Sequence, residues 1–150
     1  MLLLKRNEKI IYNSTSDFVN VQKFANFVYD DANRDPNYKM GNSNFGDGYK
    51  FRGRGIFQLT GKYNYQKFTT FYQSKYDSNI DFTTNPDLVA TNIEIAVISA
   101  LWFYENNVNS DSITSDTSVN EVTKKINGGK KGLKHRKSLF NKTKIHINCK

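Results

Sequence analysis

The residues best suited to chemistry lie between Gly46 and Tyr65. Gly53 and Gly55 flank Arg54, so the backbone there can turn tightly or approach a ligand closely. Gln58 and Thr60 alternate with Phe57 and Leu59. In an extended stretch that alternation sets two polar groups on one face and two apolar anchors on the other. Tyr49, Phe51, Tyr63 and Tyr65 add flat aromatic surface. Amide and hydroxyl groups beside aromatic faces suit a sugar chain, whose rings have apolar faces and polar rims. The same residues also fit a blander description, a glycine-rich turn followed by a core strand.

The elements that must position this segment are helical. Phe18, Val19, Val21, Phe24, Phe27 and Val28 predict a helix over 17–29, with Ser16 or Asp17 as its N-cap. Residues 30–48 are rich in Asp, Asn and Gly, and predict a long loop of the kind that is functional or mobile. A helix is expected over 62–75. Another should start at Asn85-Pro86-Asp87, with Asn85 as cap, Pro86 in the first helical position and Asp87 suited to the positive end of the helix dipole. Its core stripe would include Leu88, Val89, Ile93, Ala96, Val97, Ala100, Leu101 and Tyr104, and it would end near Asn106. A polar loop over 108–117, a short helix over 118–126 ended by Asn127-Gly128-Gly129, and a basic helix over 132–141 complete the chain. Strand signals are weak, with at most a small hairpin near residues 40–59. The predicted class is mainly α, in one domain over 1–150.

Three ordered blocks carry a resemblance. Gly46 to Gly61 with Asn64-Tyr65 resembles the central signature of glycoside hydrolase family 19, which includes chitinases and phage-type endolysins of the lysozyme-like superfamily. Asn85 to Thr91, running into Ala100-Leu101-Trp102-Phe103, resembles that family's long core helix. Ile126-Asn127-Gly128-Gly129, with Arg136 downstream, resembles its C-terminal site segment. The resemblance implies hydrolysis of β-1,4 bonds in N-acetylglucosamine polymers, peptidoglycan or chitin. By position, Gln58, Tyr63 and Asn64 would contact the sugar chain, Thr60 would hold the attacking water, and Asn127 would hydrogen-bond substrate. Arg136 would lie near the catalytic carboxylates and tune their ionisation.

Family members invert the anomeric centre with two glutamates. One acts as acid and one as base, held about 6.5–9.5 Å apart to leave room for water. This chain has four glutamates: Glu8, Glu94, Glu105 and Glu121. Glu8 stands four residues before Tyr12 and resembles the second glutamate, the general base. The acid would then fall just before Met1, so the resemblance reads as truncated at its N-terminal helix. A catalytically impaired glycan-binding remnant is the alternative that this implies.

Composition bounds the remaining options. With 37% hydrophobic residues, 11 Phe and nine Tyr, 150 residues can bury a real core. The formal charge of +8 suits anionic partners of several kinds. No nucleic-acid motif accompanies it. One cysteine, Cys149, permits no internal disulfide. No apolar run reaches membrane-spanning length, and Met1 to Arg6 is too short for a signal peptide. The expected protein is a cytosol-made monomer without cofactor or metal. It would act on a polysaccharide of the cell wall if released or delivered there.

Overall fold

The computed structural model describes residues 20–108 and 117–146. Glu8, the expected caps Ser16 and Asp17, and most of the 108–117 loop lie outside the described residues. Two compact units divide the chain, one through Ala100 and one from Leu101. The class is mainly α, as expected. Among the described residues the hairpin near 40–59 reduces to one antiparallel bridge, Arg54 with Leu59.

In the first unit, helix α1 covers Val21–Tyr29 and is capped by Asn20, whose side chain accepts from Lys23 N–H. The loop that follows contains two 3₁₀ turns, Asp31–Asn33 and Pro36–Tyr38, and then the short helix α2, Asp47–Lys50. Buried polar side chains hold it. The Asp31 carboxylate accepts from Met40 N–H at 2.7 Å and Gly41 N–H at 2.9 Å. The Asn42 amide donates to the Tyr29 carbonyl and accepts from Lys62 N–H. Asp31 and Asn42 are both buried, and these bonds offset the loss of water. Asn42 thereby ties the loop to the first turn of α3, Lys62–Lys75, a helix with the bounds its sequence predicts.

The face of α3 that turns inward is aromatic. Phe68 stacks on Phe82 with ring centroids 4.6 Å apart, and Tyr72 meets Phe82 edge-on at 5.1 Å. Phe68 and Phe82 are fully buried, a contribution of about 2–3 kcal/mol each. Asp81, beside this cluster, accepts from the Thr83 backbone and hydroxyl and from the Thr69 hydroxyl. Burial pushes its pKa up, but those bonds outweigh it and hold the carboxyl below the usual Asp value.

The helix expected from Pro86 to Asn106 is two helices, α4 (Leu88–Thr91) and α5 (Ile93–Asn107). Asn92 interrupts them with extended dihedrals. Its side chain accepts from Glu94 and Ile95 N–H, capping α5 and competing with helix continuation. Asn85 is not the cap. The inward stripe also differs: Ile95, Ala96, Ser99, Ala100 and Trp102 are buried, while Ile93, Val97 and Leu101 are exposed. The segment is apolar around most of its circumference, so its periodicity does not select the inward face.

Arg54 is the hub of this unit. Its side chain is 4% exposed and donates to the Lys50 carbonyl, to Tyr65 Oη at 3.0 Å and to Asp87 Oδ1 at 2.8 Å. Tyr65 is fully buried, and its hydroxyl donates a hydrogen bond to the Arg52 carbonyl. Burial raises its pKa, against the opposing pull of Arg54. Phe51 packs on the Tyr65 ring at 5.4 Å. Asp87, expected to complement a helix dipole, turns its carboxylate to Arg54 and Arg52 instead.

In the second unit, α6 covers Val119–Asn127. It opens on a capping box in which the Ser118 and Glu121 side chains each meet the other's backbone N–H, and it ends at Gly128 in the left-handed region. Helix α7 covers Leu133–Lys144.

Arg54→Met should cost about 2–4 kcal/mol in urea unfolding, because the buried acceptors around the guanidinium lose their donor together. Asp87→Asn should cost under about 1 kcal/mol, since that carboxylate is 61% exposed. Equal losses from the two variants would contradict the hub. Asp81 has a lowered folded pKa, so its contribution is present at neutral pH and is lost as pH falls through that value. Asp81→Asn should lower stability near neutral pH and flatten its acid decline below about pH 4.

Candidate active site

The turn Gly55–Gln58 between Arg54 and Leu59 positions the first group of candidate residues. The extended stretch read from the sequence is instead a tight turn, and Gln58 takes φ 55°, a left-handed conformation uncommon for a residue with a side chain. The Gln58 amide nitrogen donates back to the Gly55 carbonyl at 3.0 Å and closes the turn. Such strain, of order 1 kcal/mol, persists only where surrounding contacts impose it, and here the Arg54–Leu59 bridge clamps both ends. Ile56 and Phe57 stand exposed at its tip, and Leu59 is buried.

Gly53 is where the polar groups converge. A Cβ on Gly53 would lie 2.8 Å from Gln58 Oε1 and 3.1 Å from Thr60 Oγ1, so both oxygens lean over a surface that only glycine leaves open. The Thr60 hydroxyl donates to the Gln58 carbonyl at 2.6 Å. With that proton committed, the hydroxyl oxygen meets any further partner as an acceptor. Asn64 donates its side-chain N–H to the Thr60 carbonyl at 2.8 Å, fixing Asn64 on the same feature. Tyr63 is 54% exposed, its backbone N–H bonded to the Met40 carbonyl. Its ring covers Gly41, where a Cβ would come within 2.5 Å of a ring carbon. Gln58, Thr60, Tyr63 and Asn64 are thus gathered at the junction of the turn and the first turn of α3.

Asn127 and Arg136 belong to the second unit. With Lys131 and Gly132 they line one polar cleft of about 400 Å³. Arg136 is not a freely solvated charge. Its guanidinium donates to the Thr123 hydroxyl at 3.3 Å and to the Lys131 carbonyl, which anchors it between α6 and the loop before α7. Asp47, the other carboxylate near the central segment, is ion-paired with Lys62 at 3.1 Å and accepts from Asn44 N–H, so it serves the loop. Arg54, Asp31 and Asn42 support the site without having been singled out as site residues in the sequence. The clue available was two arginines in a glycine-rich stretch; nothing in the sequence marked Asp31 or Asn42.

The family described as class I chitinase, glycoside hydrolase family 19, matches residues 19–127. A glycosyl hydrolase family 19 domain-containing protein of Haemophilus influenzae is 35% identical over 116 residues, covering 77% of this chain and 50% of that protein. An endochitinase of Arabidopsis thaliana is 34% identical over 82 residues, or 55% of this chain and 26% of its own length. The chain therefore spans half or less of the relatives it matches. The match includes the turn at Gly53–Thr60, the start of α3 and the helix that carries Asn127, and the chain belongs to glycoside hydrolase family 19.

Proposed function

We propose that this chain hydrolyses β-1,4 bonds in N-acetylglucosamine-containing polymers, peptidoglycan or chitin, by an inverting acid/base mechanism. The observation that carries the reading is the convergence of Gln58 Oε1 and Thr60 Oγ1 over Gly53. A hydroxyl whose proton is already committed can accept a hydrogen bond from water and leave a water lone pair aimed at carbon. That is the role assigned to Thr60. Gln58 and Asn64 meet the polar rim of the sugar chain, and the exposed Tyr63 ring offers an apolar face to a pyranose. Asn127 and Arg136 contribute substrate contacts from the cleft of the second unit.

An inverting reaction needs a base to take a proton from that water and an acid to protonate the leaving oxygen. Glu8 is assigned as the base. Of the glutamates among the described residues, Glu121 closes the capping box with Ser118, and hydrogen bonds from Ser118 hold its carboxyl below the usual range, as suits a structural carboxylate rather than an acid. A second reading, a glycan binder without turnover, draws on the same convergence, because holding sugar requires none of the carboxylates.

Release of reducing ends from peptidoglycan sacculi and from soluble chitin oligomers separates the two. Cleavage that disappears in Glu8→Gln is expected; binding without cleavage would favour the second reading. Thr60→Ala should lower turnover roughly 10–10²-fold by misplacing the water. Gly53→Ala should reduce turnover by at least about 10-fold, because its Cβ displaces the flexible end of Gln58, while the thermal midpoint moves by no more than about 3 °C. Unchanged turnover in Gly53→Ala would remove the convergence from the mechanism.

A further inference from the structure

The positive charge is concentrated at one end of the chain. Residues 117–146 contain nine lysines and arginines and a single carboxylate, Glu121. Their net +8 equals that of the whole protein, and the other residues carry 13 cations and 13 carboxylates. The described part of this basic segment is α6, α7 and the loop that joins them. Helix α7 has no buried residue; its lysines are exposed, while Arg136 is tied to Thr123 and the Lys131 carbonyl. Lys134 and Lys137 are one turn apart on its surface, and Lys130 and Lys131 lie in the loop leading into it; all four are exposed. The Glu121 carboxylate is held by Ser118.

This face is continuous with the polar cleft. Lys131 lines the cleft together with Asn127, Gly132 and Arg136, and Lys130 and Lys134 adjoin it in sequence. A glycan held by Asn127 and Arg136 therefore runs beside the lysines. A neutral N-acetylglucosamine homopolymer offers them hydrogen-bond acceptors but no counter-charge. A glycan that bears carboxylates at regular intervals does.

We propose that Lys130, Lys131, Lys134 and Lys137 form a docking surface for the carboxylates of an acidic glycan, and that this surface makes the protein prefer such a glycan to a neutral one. The inference rests on the glycan-cleaving reading above and names the substrate class within it. Each exposed lysine–carboxylate contact is weak and screened by salt. Repeated carboxylates on one polymer make successive contacts effectively intramolecular, so weak contacts sum to retention. The electrostatic part of binding must then fall as ionic strength rises.

Co-sedimentation of the full chain tests this with three solids: purified peptidoglycan sacculi, the same sacculi with their carboxylates converted to amides, and chitin. At about 50 mM salt, a Debye length near 14 Å, wild type should bind untreated sacculi at least roughly 10-fold better than amidated ones. That advantage should vanish near 500 mM salt, where the Debye length is about 4 Å. The triple variant K130Q/K134Q/K137Q, which leaves Lys131 and the cleft intact, should lose most of the preference for untreated over amidated sacculi and keep wild-type affinity for chitin. Equal binding of the variant and wild type to untreated sacculi, or indifference of wild type to amidation, would overturn the docking surface while leaving the hydrolase reading standing. Binding to none of the three solids would overturn both. Retention on duplex DNA or anionic lipid vesicles, with the same salt dependence and loss in the variant but no preference between the two sacculi, would assign the lysines to a different polyanion and sink the proposal.

Discussion

The first unit depends on one buried cation. Arg54 is nearly solvent-free, yet its guanidinium reaches a carboxylate, a phenol and a backbone carbonyl. A buried charge is tolerable only when its donors are matched, and a planar fork with five N–H groups can meet several acceptors from a single position. Through Tyr65 it reaches α3, through Asp87 the start of α4, and through Lys50 the end of α2. The same residue is one side of the bridge that clamps the Gln58 turn. Arg54, which the sequence marked only by its flanking glycines, is a strut under the turn that carries Gln58 and Thr60.

That arrangement explains how a strained turn can project polar groups outward. Gln58 holds an unfavourable φ because the Arg54–Leu59 bridge and its own amide close the turn around it. Thr60 and Asn64 are hydrogen-bonded to carbonyls of this segment, so their positions follow the backbone rather than rotamer chance. On the other side, Asp31 and Asn42 hold the 30–48 loop against α3 with buried hydrogen bonds, which keeps Gly41 beneath the Tyr63 ring. The site thus rests on polar pinning at both ends of a loop-rich region, beside the buried Phe51, Leu59 and Tyr65.

Much of the architecture was legible from local patterns. Helix α3 has its predicted bounds because a glycine precedes it and its aromatics repeat at helical spacing. The α6 helix was recognisable from its terminal Asn-Gly-Gly. The residue types of the central segment motivate the proposal of sugar contact. The failures are informative too. The α4–α5 break escaped because Asn92 lies inside an apolar stretch, and its capping of Glu94 and Ile95 competes locally with helix continuation. The inward face of α5 escaped because helical periodicity cannot choose a side when most sides are apolar. The extended reading of Gln58 to Thr60 failed because alternation of polar and apolar residues also occurs in a tight turn.

What the sequence by itself determined is family and helical class, since those are properties of residue type, order and spacing. It also determined where the positive charge lies. What only the tertiary structure decided is which polar groups converge and which are struts. Gly53 became a meeting point for Gln58 and Thr60, Asp87 turned from a presumed helix-dipole partner into the counter-ion of Arg54, and Asp47 went to Lys62. Arg54 and Asp87 are 33 residues apart. A pairing across that separation depends on the path of the chain through space, and no local pattern of residues encodes it.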